Sequence, residues 1–446
     1  MKKLFALLIF STILFISCSD DDETIPNFTP ENVVLGTDID NVSFMFDGNT
    51  FDTNINITCN TKWTARTDAP WITLSAKSGD GDTSIRVAAG ENTEQKDLTS
   101  QIVIKAGEKD SVIVKVVQRR RPAATGGLYI LSEGTWNRNQ AELAYYNMET
   151  GALEKKIFET RNSVKLGDTG NDLAIYGGKM YCVVSGASVE TGGGHLEVID
   201  PATGISIKRI PFKDQNGDAD QPRKIAFYKN KAYVTGFSGC VARIDTASLS
   251  IDKYAPLSGD GTEGITQYDG KLFVCNSGKG SGTTISVLDI ASFAETKTVT
   301  VPRNPRNIAV SKTGVIYFST DMLYDTGDPS GLHSMDVNTG NITTYNTNGG
   351  RLAIGKNDVY VIETDYTTYG SLAKKLNLAT KEIGDFTTQL PDFFMGYSVS
   401  VNPLDGSIYA MGQGQDVSIL DAEGNLIKTL KVGTGFGSTV VPVYKY

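Results

Sequence analysis

Acid–base or metal chemistry near neutral pH would fall first to histidine. This 446-residue chain has two, His195 and His333, far apart in sequence. A metal or proton-transfer site usually recruits more. Neither Gly-x-Ser-x-Gly nor His-Glu-x-x-His occurs. Gly192-Gly193-Gly194 and Gly278-Lys279-Gly280-Ser281-Gly282 are glycine-rich, but both lie between strand-like runs. A phosphate loop leads into a helix, so these read as hairpin loops. Cys59, Cys182, Cys240 and Cys275 form no Cys-x-x-Cys pair and read as small buried hydrophobes. Asn147, Asp200, Asp245, Asp289, Asp336, Asn377 and Asp421 each end a strand-like run. Such a set could pass for metal ligands, but an Asx residue recurring at hairpins caps its own turn. The residues nominate no enzyme, no metal and no cofactor.

The elements that carry these residues form a repeat. An apolar strand with an aromatic residue recurs at Tyr129, Tyr181, Tyr233, Phe273, Tyr317, Tyr360 and Tyr409, spaced by 52, 52, 40, 44, 43 and 49 residues. Each copy is followed by the Asx turn. All but the first are preceded by an apolar run such as Asp172-Leu173-Ala174-Ile175-Tyr176. Four strands per period, repeated seven times, predict a seven-bladed β-propeller over 126–446. The copy at Gly127-Leu128-Tyr129 lacks its preceding strand, and Ser438 to Tyr444 supplies one from the chain's end, closing the ring.

In such a ring, the loops leading into inner strands share one face with the loops between second and third strands. The first set carries Asn171-Asp172, Arg223-Lys224, Glu263, Arg306-Asn307, Arg351, Phe394 with Tyr397, and Phe436. The second carries Trp136-Asn137-Arg138, Tyr324, and Tyr366 with Tyr369. Aromatics and arginines of this kind make binding hot spots. The candidate ligand-binding residues are therefore Trp136, Arg138, Asp172, Arg223, Glu263, Arg306, Arg351, Tyr366 and Tyr397. The formal net charge of −9 disfavours nucleic acid. Arg119-Arg120-Arg121, the one basic cluster, falls in an expected linker, 119–125.

Residues 1–17 read as a signal peptide, basic at Lys2-Lys3 and then apolar but too short to span a bilayer. Phe15-Ile16-Ser17-Cys18 resembles a bacterial lipobox, departing from it at Phe15, where leucine is usual. The resemblance implies lipidation of Cys18. Residues 18–30 then form an acidic spacer whose Ser19-Asp20-Asp21-Asp22-Glu23 resembles the export signal of Bacteroidetes surface lipoproteins. That implies a protein anchored in the outer membrane by lipid alone and facing the exterior.

Period-two alternation over 31–118, as in Asn54-Ile55-Asn56-Ile57, predicts a small immunoglobulin-like β-sandwich. The series Trp63-Thr64-Ala65, Pro70-Trp71-Ile72-Thr73-Leu74, Ser78-Gly79-Asp80-Gly81-Asp82 and Val116-Val117-Gln118 resembles the BACON domain. The fold class is all-β, a sandwich followed by a propeller. The repeats resemble YncE-like, YVTN-type propellers. Gly127-Leu128-Tyr129-Ile130-Leu131-Ser132-Glu133-Gly134-Thr135-Trp136 is similar to the opening of a subgroup that includes cobalamin-capturing surface lipoproteins. This resemblance implies a protein that captures a corrinoid for a TonB-dependent outer-membrane transporter. A glycan-binding accessory protein and a surface scaffold are the alternatives.

Overall fold

The computed structural model describes residues 32–49, 54–108, 110–186, 193–321, 331–365, 370–390, 396–412, 416–432 and 435–446. The expected signal peptide 1–17, the expected spacer 18–30 with Cys18, and the loop aromatics Tyr324, Tyr366, Tyr369 and Phe394 lie outside these residues.

Alternating burial builds the first body. A four-stranded sheet, ordered Leu35–Thr37, Asn54–Cys59, Thr83–Ala89, Ile72–Leu74, faces a five-stranded one. The latter is ordered Asn41–Phe44, Asp110–Gln118, Leu98–Ala106, Lys62–Arg66, Ser78–Asp80. Val42, Phe44, Ile55, Val87, Ile104 and Val116 fill the space between them. Trp63 is 2% exposed and its indole N–H donates to the Gly81 carbonyl at 3.2 Å. Trp71 packs against the same core. Both indoles are spent on packing.

Seven further four-stranded sheets follow. Their innermost strands are Gly170–Tyr176, Pro222–Tyr228, Thr262–Tyr268, Pro305–Val310, Arg351–Ile354, Gly396–Val401 and Phe436–Lys445. Each packs against the next, and the last returns to the first, so the ring is closed. The recurring aromatics explain why the blades cohere. Tyr129, Tyr181, Tyr233, Phe273, Tyr317, Tyr360 and Tyr409 are all buried in cores shared between neighbouring blades. Tyr181, for example, meets Phe227 of the next blade edge-on at 5.2 Å. The Asx residues act as expected. Asn147, Asp200, Asp245, Asp289, Asp336, Asn377 and Asp421 each accept a backbone N–H two or three residues on.

The closing strand Phe436–Lys445 runs antiparallel to Ala124–Gly134, pairing Val441 with Tyr129 and Val440 with Ile130. Without it the second strand of that blade would present an unpaired edge beside an open core.

The sandwich sits on the face where first and second strands of the blades are joined. Lys229 Nζ donates to Asp38 at 2.6 Å, Asn54 to Asp269 at 2.8 Å, and Lys312 to the Asp47 carbonyl at 2.5 Å. Lys356 pairs with Glu91 at 2.9 Å, and Arg121 donates to the Leu404 carbonyl at 2.5 Å. Arg86 lies 4.5 Å over the Tyr268 ring, and Phe46 meets Tyr444 edge-on at 5.8 Å. These contacts reach six of the seven blades, so the sandwich straddles that end of the channel. The other end is left to the loops that lead into the inner strands.

Deleting residues 437–446 should cost more than ~5 kcal/mol, because it strips pairing and apolar cover from Leu128 to Leu131. The expected thermal scan of the truncated chain shows no cooperative propeller transition. A transition at the parent temperature would refute closure by this strand.

A charged mouth at the open end of the channel

Six of the inner strands carry a polar or charged residue at their first or second position, Asn171, Arg223, Glu263, Arg306, Arg351 and Tyr397, where the strand enters the ring. Glu263, the second residue of Thr262–Tyr268, is 5% exposed. A carboxylate so placed must be paired. Arg223 of the preceding blade donates to it through Nε at 2.9 Å and Nη2 at 3.1 Å. Arg306 of the following blade donates through Nη2 at 2.9 Å. Arg306 Nε also lies 3.4 Å from Asp321. Burial pushes the Glu263 carboxyl upward, but the Arg223 and Arg306 charges outweigh it and hold the group below its ordinary 4.5.

Across the mouth stands a second group. Arg351 donates through Nε to the Tyr397 carbonyl at 3.1 Å and through Nη1 to Asn307 Oδ1 at 2.8 Å. Its guanidinium lies 4.7 Å over the Tyr397 ring. Tyr397 packs on Phe436 at 4.7 Å and its hydroxyl donates to Glu133 at 3.1 Å. Burial raises the Glu133 carboxyl, opposed by the charges of Arg351, Lys224 and Arg223. Burial likewise lowers the Lys224 ammonium, which donates to the Asn171 carbonyl at 2.5 Å.

Trp136 and Arg138 occupy an exposed loop near Glu133. Its shape is fixed from below by Asp168, a fully buried carboxylate that accepts the N–H of Asn137 at 3.1 Å and of Asn139 at 2.6 Å. Both asparagines adopt the left-handed conformation, with φ of 60° and 53°. Asparagine tolerates this region better than most residues. The loop thereby holds an indole that is 66% exposed.

Of the residues expected to bind ligand, Arg223, Glu263, Arg306, Arg351 and Tyr397 therefore converge on the mouth, and Trp136 and Arg138 stand on its rim loop. Asp172 has a different task. It accepts the N–H of Leu173 at 3.0 Å and of Ile225 at 3.2 Å, stapling two neighbouring inner strands. Glu133, Asp321 and Phe237 were not singled out by sequence. The Phe237 ring lies 5.4 Å from the Arg223 guanidinium. All three sit at or just beyond the end of a second strand, the position that also precedes Trp136, and that position was the available signal.

The mouth holds four cations (Arg223, Lys224, Arg306, Arg351) and four carboxyls (Glu133, Asp172, Glu263, Asp321). It is dense in charge and near balance, suited to a ligand with many donors and acceptors. Among the described residues no group of three or more His, Cys, Asp or Glu side chains is placed to hold a metal ion. His195 and His333 are buried in third strands, and burial lowers both imidazoles to about 4.

A family profile described as a domain of unknown function, DUF5074, matches residues 126–436. One described as a viral BACON domain matches residues 34–120. The chain is 24% identical over 177 residues to the xyloglucan-specific endo-beta-1,4-glucanase BoGH5A of Bacteroides ovatus, a match covering 40% of this chain and 33% of that protein. Among solved structures, the hydrazine synthase of Kuenenia stuttgartiensis is similar in fold, with a TM-score of 0.50 and 14% identity, over 60% of this chain and 93% of that one. The Bacteroides ovatus GH5 xyloglucanase in complex with a XXXG heptasaccharide matches 21% of this chain and 20% of that one, with 20% identity and a TM-score of 0.19.

Glu263→Ala should cost about 3 kcal/mol, since it takes the carboxylate from the half-buried Arg223 and leaves Arg306 only the longer pair with Asp321. Because the folded carboxyl titrates below its ordinary value, its pairs stabilise the fold above that value. The contribution disappears as pH falls through the lowered one. Glu263→Gln should therefore melt below wild type at pH 7 and lose less stability on acidification. Parallel melting curves for the two proteins across acid pH would contradict the assignment.

Proposed function

We propose, for a chain that belongs to the DUF5074 family and carries a BACON domain before it, the capture of a small ligand at the cell surface. The observation that carries this reading is Trp136. A large aromatic left exposed on a loop pinned by a buried carboxylate costs solvation and gains nothing for folding. Beside it lie the paired charges of the mouth, already oriented by one another and so cheap to use in binding. The sandwich covers the opposite end of the channel, which directs a ligand to this one.

The ligand proposed is cobalamin or a related corrinoid. Its flat apolar macrocycle suits the Trp136 indole, and its peripheral amides and phosphate suit a rim of mixed donors and acceptors. The resemblance of Gly127 to Trp136 to cobalamin-capturing lipoproteins supports the same ligand and a TonB-dependent transporter as partner. The Ser17-Cys18 junction and the acids after it support a lipid anchor on the outer membrane. A glycan is the second reading, favoured by the similarity to a xyloglucan-specific glucanase.

Calorimetry with cyanocobalamin should give a saturable isotherm for wild type, and Trp136→Ala should weaken it by at least ~2 kcal/mol, about 30-fold. No heat with cyanocobalamin, and heat with xyloglucan oligosaccharides, would replace the corrinoid by a glycan. Cys18→Ala should release the protein from the outer-membrane fraction. Retention there with attached acyl chains would contradict the anchor.

A further inference from the structure

The mouth spends its charges unevenly. Arg223 and Arg306 both engage the Glu263 carboxylate directly. Arg351 does not engage one. Among the described residues no carboxylate lies within ion-pair distance of its guanidinium, and its bonds go to two neutral acceptors, the Tyr397 carbonyl and the Asn307 amide oxygen. A guanidinium carries five N–H groups, so most of its donors remain unspent. Glu133 is the counterpart. Among the described residues its one side-chain donor is the Tyr397 hydroxyl at 3.1 Å, and a carboxylate has about four acceptor positions.

Tyr397 joins the two. Its carbonyl fixes Arg351, its ring lies beneath the Arg351 guanidinium, and its hydroxyl fixes Glu133. One tyrosine thus holds a spare donor and a spare acceptor on its two sides. Phe436 braces the ring. A primary carboxamide presents the complementary pair, a carbonyl oxygen and an NH2 group on one edge. A carboxylate in the same place would set a second anion against Glu133.

Resting on the ligand-capture reading, we infer that Arg351 and Glu133 form a carboxamide-recognition site, with Arg351 donating to the amide oxygen and Glu133 accepting from the amide nitrogen. Tyr397 is the positioning residue. The site selects a neutral, amide-bearing ligand over its acid analogue.

The test is titration of the full chain with cyanocobalamin and with its separate monocarboxylate derivatives, in which one side-chain amide is hydrolysed to the acid. At least one regioisomer should bind ~10-fold or more weakly than the parent. Glu133→Gln offers an N–H where the carboxylate stood, and it should shrink or reverse that preference. Loss of amide and acid binding to the same extent in Glu133→Gln would reduce the residue to a structural role and overturn the inference. So would regioisomers that all bind within about twofold of the parent. Should wild type bind no corrinoid, the ligand assignment fails on its own, and nicotinamide against nicotinate decides the amide site by NMR. A shift of the Arg351 Nε–H resonance with nicotinamide alone supports it. A shift with nicotinate alone, with both equally or with neither overturns it.

Discussion

A propeller has no separate core at its axis. Its blades hold position because each inner strand leans on its neighbours, and that mutual support exists only when the ring is complete. In this chain completion depends on the antiparallel pairing of Phe436–Lys445 with Ala124–Gly134, which brings the last ten-odd residues back to the first blade. The mouth inherits its geometry from that pairing. Phe436 reaches Tyr397, Tyr397 reaches Glu133, and Glu133 lies on the strand that the closing segment covers. An unclosed ring would lose this half of the mouth first.

The other half is held by electrostatics across blades. Glu263 gathers an arginine from the blade on each side. A buried carboxylate is costly unless fully paired, so the three side chains restrain one another and the start of three inner strands with them. The result is a rigid rim segment facing a more lightly bonded one around Arg351 and Glu133. Binding is better served by that second segment, where donors and acceptors stay available. The Trp136 loop adds apolar surface without adding flexibility, because Asp168 fixes its backbone from beneath.

Much of this was legible in the sequence where the signal is local. The aromatic second strand and the Asx turn repeat within a short span, so the seven blades can be counted by eye. Ring closure followed from seven aromatic strands against six preceding inner strands. The polar residues that open inner strands marked Arg223, Glu263, Arg306, Arg351 and Tyr397. What stayed hidden depends on contacts between blades. Nothing near Glu263 in sequence says that its partners lie about forty residues away on either side. Glu133 and Asp321 end second strands, and their reach into the mouth is set by neighbours packed beside them. Asp172 has the residue type of a ligand contact, yet its carboxylate is taken up by the backbone of the next blade. The seating of the sandwich on the far end of the channel uses scattered single residues, Asp38, Asn54, Arg86 and Glu91, that carry no motif.

The central claim is that the open mouth, and not the sandwich or its seat, receives the ligand. Hydrogen–deuterium exchange of the full chain with and without cyanocobalamin addresses it most directly. The account predicts added protection at residues 132–140 and at the starts of the inner strands at 222–224, 262–264, 305–307 and 396–397. The turns that carry the sandwich, at Lys229, Asp269 and Lys312, should not change. Protection confined to those turns or to residues 54–89, with none around Trp136, would contradict it.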